Sequence, residues 1–329
     1  MAVSMNMDLI PMIGFYGADG YFKTGQILTI GEVKMCLESR RDLHDSGDRM
    51  KRYIQKTQYN EFFKIKIDFP ISKLHHVTDE FGLRVIMHSG YFTGSESEQI
   101  ELLQHLSFWS VEIHPENSER ARQQAYETVK QMVTAQEAEY FQEQIKGQYA
   151  NSPAFDNTTS RYGNFVFSFP LSDLLEAYKS QHCQNVDPQL RVLGTQMYRQ
   201  EIAHIIVVHS PGIDLYDDFP MVQTVPSTDK SLPFVYWRKE DGELCWRPES
   251  TSTKLQVEIR NNTTTPYNSV QYCVWNHLIF AFHLPEGQHL VIPREKLQDN
   301  LAACGSGEVI LNSSLKFEVA EEIVRDIKG

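Results

Sequence analysis

Residues 73–92, KLHHVTDEFGLRVIMHSGYF, constrain the fold more than any other stretch of this chain. They predict a strand end, a short helix and a glycine stop in direct succession. His76 and Thr78 stand two apart, and strand side chains alternate, so both face the same way. Asp79 and Glu80 suit a helix N-terminus, where unpaired amides and the helix dipole favour negative charge. Leu83, Val85 or Ile86, and Met87 supply the buried stripe, and Gly90 can take the positive φ that ends a helix.

The rest of the chain alternates between strand and helix signals. Residues 62–69 place Phe63, Ile65, Ile67 and Phe69 opposite Lys64, Lys66 and Asp68, which predicts a half-buried strand stopped by Pro70. A strand over 106–113 precedes a long helix over 118–146, capped by Asn117 or Ser118. A polar loop over 147–163 follows, then a strand with Phe165, Phe167 and Phe169 on one face, then a short helix. Two more strands are predicted over 191–198 and 201–210. Beyond Pro211 the chain loops to about Pro233, and the remainder reads mostly as β. It holds a hairpin signal at Asp241-Gly242 and an apolar run over 271–284, a long strand or a strand pair. Residues 14–25 read as a turn-laden loop, and 32–56 as a charged segment that is helical in parts.

Composition narrows the function classes. Lys plus Arg number 31 against 43 Asp plus Glu, a net charge of −12, which argues against general nucleic-acid binding. The five cysteines are scattered with no Cys-x-x-Cys, so reduced thiols are expected rather than a disulfide framework or a zinc site. No apolar run approaches the roughly 18 residues of a membrane span, and the first residues lack a signal-peptide pattern. These features predict a soluble protein of the cytoplasm or nucleus. There is no G-x-S-x-G, no H-E-x-x-H, no phosphate loop and no dinucleotide fingerprint.

Three segments occur in an order that resembles the ADP-ribosyltransferases of the poly(ADP-ribose) polymerase and diphtheria-toxin type. The first is His76-Val77-Thr78 with its short helix and Gly90-Tyr91-Phe92. The second is Leu106-Ser107-Phe108-Trp109-Ser110, in the place of a strand that usually carries a tyrosine. The third is Glu201, opening the strand Glu201-Ile202-Ala203-His204-Ile205. The resemblance covers about residues 62–210 and implies NAD as substrate, with no metal. It implies that His76 and Thr78 hold NAD, that Phe108 (or its neighbour Trp109) stacks on nicotinamide, and that Glu201 stabilises the cation formed as nicotinamide leaves. His76 and Glu201 would then be the catalytic pair. Phe108 departs from the family tyrosine: it can stack but offers no hydroxyl.

Each of these residues also has a plainer explanation. A histidine near an apolar strand is usually structural, Phe108-Trp109 suits a core, and Glu201 suits an exposed strand entrance. Trp237 and Trp246, either side of the Asp241-Gly242 turn, distantly resemble the modules that bind ADP-ribose units, but such pairs are ordinarily cross-strand packing. The expectation is an α+β protein. Residues 1–225 would form an ADP-ribosyltransferase-like split antiparallel sheet with flanking helices and an N-terminal extension, and 226–329 a β-rich region. The implied activity is mono-ADP-ribosyl transfer to a protein acceptor, or NAD hydrolysis. The alternative is a catalytically inactive relative acting as a scaffold or protein-interaction module.

Overall fold

A computed structural model describes residues 10–12, 54–56, 68–96, 101–112, 155–156, 159–160, 163–198, 201–228, 235–247, 255–258, 269–274, 276–306 and 315–329, with isolated positions between 114 and 136. The architecture is mixed α+β, with more sheet than helix. Eight strands form the central sheet: β1 (Ile10–Met12), β2 (Lys73–Thr78), β3 (Leu106–Glu112), β4 (Phe165–Pro170), β5 (Gln189–Tyr198), β6 (Glu201–His209), β7 (Asn276–His283) and β8 (Leu301–Ala303). Their order across the sheet is β1-β5-β6-β7-β3-β2-β4-β8. All neighbours are antiparallel except β6 and β7.

The strand–helix unit at residues 73–92 forms as its residues dictate. β2 runs into α1 (Glu80–Ser89), whose first turn is capped by the Asp79 carboxylate accepting from the Gly82 amide at 2.8 Å. Gly90 ends the helix at φ 77°, its amide bonded to the Ile86 carbonyl. Leu83, Ile86 and Met87 are buried, each stabilising the fold by roughly 1.5–3 kcal/mol. Val85 lies outside that stripe and is exposed.

The sheet buries both faces over much of its area. On one face Leu74, Trp109, Phe167, Phe169, Phe280 and Phe282 meet α1, α2 (Leu171–His182), α3 (Arg294–Asp299) and α4 (Phe317–Lys328). Phe165, Phe167 and Phe169 all lie in this core, as the alternation over 165–169 predicts. The other face carries a smaller cluster of Leu106, Ile205, Val207, Ala281, Tyr216 and Phe219. A four-stranded sheet of Gln223–Val225, Val235–Arg238, Leu244–Trp246 and Phe69–Pro70 packs beside the main core. Its hairpin turns at Gly242, φ 72°, with Trp246 buried and Trp237 against the core: cross-strand and core packing.

Two expectations change. The sheet is not purely antiparallel: β7 pairs in parallel with β6, because the chain makes a long excursion after β6 and re-enters the sheet from the same end. Nor does 225/226 separate two bodies of structure, since β7 lies between β6 and β3 and β8 forms an edge. Among its described residues the C-terminal region holds more strand than helix, and it also contributes α3 and α4. In the apolar run 271–284, Ser269–Val274 and Asn276–His283 join different sheets, the strand-pair alternative. Most of the predicted strand over 62–69, the loop over 14–25, much of 147–163 and most of the helix over 118–146 lie outside the described residues. Cys183, Cys245 and Cys304 are buried free thiols. Among the described residues, no helix is long and apolar enough to cross a membrane.

Candidate functional site

The residues singled out from sequence do not converge. His76 ends in an aromatic enclosure, its ring centroid 5.0 Å from Phe92 and 5.1 Å from Trp109. Nδ1 lies 3.1 Å from the Phe108 carbonyl, to which it donates when protonated. Burial disfavours the charged ring and pushes its pKa down to about 4, with the Phe108 carbonyl opposing the shift. Thr78 sits at a crowded corner: a Cβ on Gly82 would stand 1.9 Å from its hydroxyl, and one on Gly163 2.1 Å from its carbonyl oxygen. The Thr78 hydroxyl therefore lies close against the start of α1.

Phe108 and Trp109 are neighbours on β3 and so point to opposite faces. Trp109 lies in the main core and its ring meets that of His76, whereas Phe108 packs on the Leu106 and Tyr216 side. Glu201 opens β6 at the other end of the sheet. The register aligns His75 with Ser110, Ser110 with Ile279, and Ile279 with Ile205. Glu201 lies four residues before Ile205 and His76 one beyond His75, a separation of about 17 Å along the strands at ~3.3 Å per residue. Three strand spacings of ~4.8 Å add about 14 Å across the sheet.

Two polar groupings escaped the sequence reading, and both lie on the opposite face from His76. The first crosses β3, β2 and β4. His75 Nδ1 is 2.6 Å from Ser168 Oγ, and His75 Nε2 is 3.2 Å from Glu112 Oε2. Lys73 Nζ stands 4.0 Å from the same carboxylate. The carboxyl pKa of Glu112 is lowered, chiefly by its interaction with His75, against the opposing effect of burial.

The second grouping gathers where β6 and β7 end. The buried Arg191 guanidinium donates to the Asp217 and Phe219 carbonyls at 2.9 and 2.7 Å, and to the Asp217 carboxylate at 2.7 Å. Its Nε donates to His209 Nε2 at 3.1 Å, which leaves His209 Nδ1 to donate to the Ser210 carbonyl at 2.9 Å. Burial above all, with a contribution from Arg191, lowers the His209 pKa. Tyr216 lies between His209 and His283, with ring centroids 5.1 and 5.3 Å away. His283 is driven down to about 4 by burial and by His105, His209 and His182 nearby. Uncharged, it can share this crowded end without repulsion. The two strand-terminal histidines were visible in sequence as the ends of the apolar runs at 205–208 and 278–282.

Among the described residues, no group of three or more His, Cys, Asp or Glu side chains is placed to hold a metal ion. No family model, curated protein or solved structure matches the chain.

Proposed function

We propose that the protein is a scaffold or protein-interaction module on an ADP-ribosyltransferase-like core that is catalytically inactive toward NAD. The observation that carries this reading is the separation of His76 from Glu201. Cleaving the nicotinamide–ribose bond needs a group holding the sugar and a carboxylate at the developing cation, within one ligand's reach and correctly oriented. His76 instead fills a space between two aromatic rings, and Glu201 opens a strand some 17 Å further along the sheet. Phe108, whose ring lies on the other face from the His76 ring, cannot sandwich a nicotinamide that His76 also holds.

The competing reading is NAD-dependent mono-ADP-ribosyl transfer or NAD hydrolysis, with His76, Thr78, Phe108 and Glu201 in one cleft. Calorimetry with NAD and a nicotinamide-release assay, on wild type and Glu201→Ala, separate the two. The expected result is no nicotinamide release by either protein. Release by wild type that disappears in a folded Glu201→Ala variant overturns the proposal.

A further inference from the structure

We propose that Ser168 is an activated nucleophile that accepts acyl groups from activated esters or thioesters, with His75 as its general base and Glu112 as the positioning residue. This site shares no residue with the NAD reading, and its test is independent of that one.

The arrangement follows from strand register. Ser110, His75 and Ser168 are directly paired across β3, β2 and β4, so their side chains project from one face in a row. One step along lie Glu112 and Lys73, also paired. His75 therefore meets Ser168 as its direct cross-strand neighbour and Glu112 as its diagonal one, within the reach of long side chains. The imidazole has the serine hydroxyl 2.6 Å from Nδ1, and the Glu112 carboxylate lies 3.2 Å from Nε2 as an ion-pair contact outside hydrogen-bond geometry.

That geometry selects a tautomer. The Glu112 carboxylate favours the proton on Nε2, which leaves the Nδ1 lone pair to accept from the Ser168 hydroxyl. A nucleophile bonded to a base that a third group orients is the arrangement that activates a hydroxyl. The surroundings hold it in place: the Ser168 amide donates to the Asn300 carbonyl, and the Ser110 hydroxyl to the His75 carbonyl. His75 is 6% exposed, whereas Ser168 is half-buried and Glu112 is 22% exposed, so the row opens to solvent from the serine and carboxylate ends.

In the reaction, Ser168 Oγ bonds to the donor's carbonyl carbon, the C=O π pair moves to oxygen, and the hydroxyl proton passes to His75 Nδ1. Collapse of the tetrahedral species breaks the bond to the leaving alcohol or thiol, which takes the proton from the imidazolium. Water then attacks the acyl-serine by the same route, with His75 taking its proton and returning it to Ser168 Oγ.

The test is labelling of the full chain with a fluorophosphonate, read by intact mass and site mapping, alongside p-nitrophenyl acetate hydrolysis. Wild type, its fold checked by circular dichroism, is expected to take one label on Ser168, and Ser168→Ala none, in a chain that stays folded with a thermal midpoint lowered by a few degrees. His75→Gln is expected to slow labelling about a hundredfold. Glu112→Gln is expected to slow it about tenfold and to shift the pH profile of the rate, which a merely structural carboxylate would leave in place. Should His75→Gln fail to fold, Ser168→Ala and Glu112→Gln still decide the matter. Folded wild type that stays unlabelled on Ser168, or labelling indifferent to Glu112→Gln, overturns the proposal.

Discussion

His76 makes the protein's stability depend on pH in a way that a single substitution can isolate. In the folded chain, desolvation of its half-buried ring beside Phe92 and Trp109 pulls its pKa down to about 4 from the ordinary 6.5, against the hydrogen bond to the Phe108 carbonyl. Between those two values the unfolded chain binds a proton that the folded chain refuses. The stability is fully present above pH 6.5 and falls as pH drops through this window, the loss being nearly complete at pH 4. At ~1.4 kcal/mol per pH unit the loss comes to about 3 kcal/mol, a large part of a typical total stability. His76→Phe keeps an aromatic ring in the enclosure but gives up the hydrogen bond to the Phe108 carbonyl, at a cost of about 1 kcal/mol. The two proteins should therefore cross. In urea denaturation the variant is less stable than wild type by about 1 kcal/mol at pH 7 and more stable by roughly 2 kcal/mol at pH 4. His283 is depressed in the same direction but is present in both proteins, so it cancels in the comparison. Parallel pH dependences for the two proteins would refute the reasoning. They would mean that a charge on the His76 ring is solvated as well in the folded state as in the unfolded one.

Three further substitutions probe the frame around the sheets. Gly163→Ala places a methyl 2.1 Å from the Thr78 carbonyl at φ 147°, whereas Gly242→Ala meets nothing within 4 Å at φ 72°. The first should cost several kcal/mol and sharply reduce soluble yield, and the second about 1 kcal/mol, both read as thermal midpoints. Asp68→Asn removes the charge from a two-point ion pair with the buried Arg247, at 2.6 and 2.8 Å, and should lower stability by about 3 kcal/mol in denaturant titration.

What was legible in the sequence was local. The Asp79 cap, the α1 stripe, the Gly90 stop and the Asp241-Gly242 hairpin each depend on residues within a few positions of one another, and all form. Sheet order depends on pairings between distant segments, so nothing near 276–283 announces that β7 will lie between β6 and β3. A partial signal existed, because the unbroken run Leu278 to Phe282 suits a strand covered on both faces. α4 was missed for a different reason. Ala320 and Val324 mark its buried side, but Phe317 and Val319 are also apolar and exposed, and their alternation imitates a strand. The site was harder still, since His-x-Thr spacing says that His76 and Thr78 share a face but not what covers that face.

His75 and His76 make that last distinction physical. They are adjacent in sequence and opposite in environment: one ring joins a serine and a carboxylate, the other sits between a phenylalanine and a tryptophan. A one-residue slip of β2 would exchange them, because strand side chains alternate. The same slip would carry Leu74, fully buried, out of the core, losing roughly 2 kcal/mol for that side chain alone. It would also drag on Asp79, which must stay one residue beyond the strand to cap α1, and on Thr78, whose carbonyl fits only beside a glycine at 163. Three independent constraints thus fix the register that turns His76, half-buried, toward Phe92 and Trp109. Chemistry at this end of β2 belongs to the face of His75, and a reading that places His76 in an open cleft must first overcome all three.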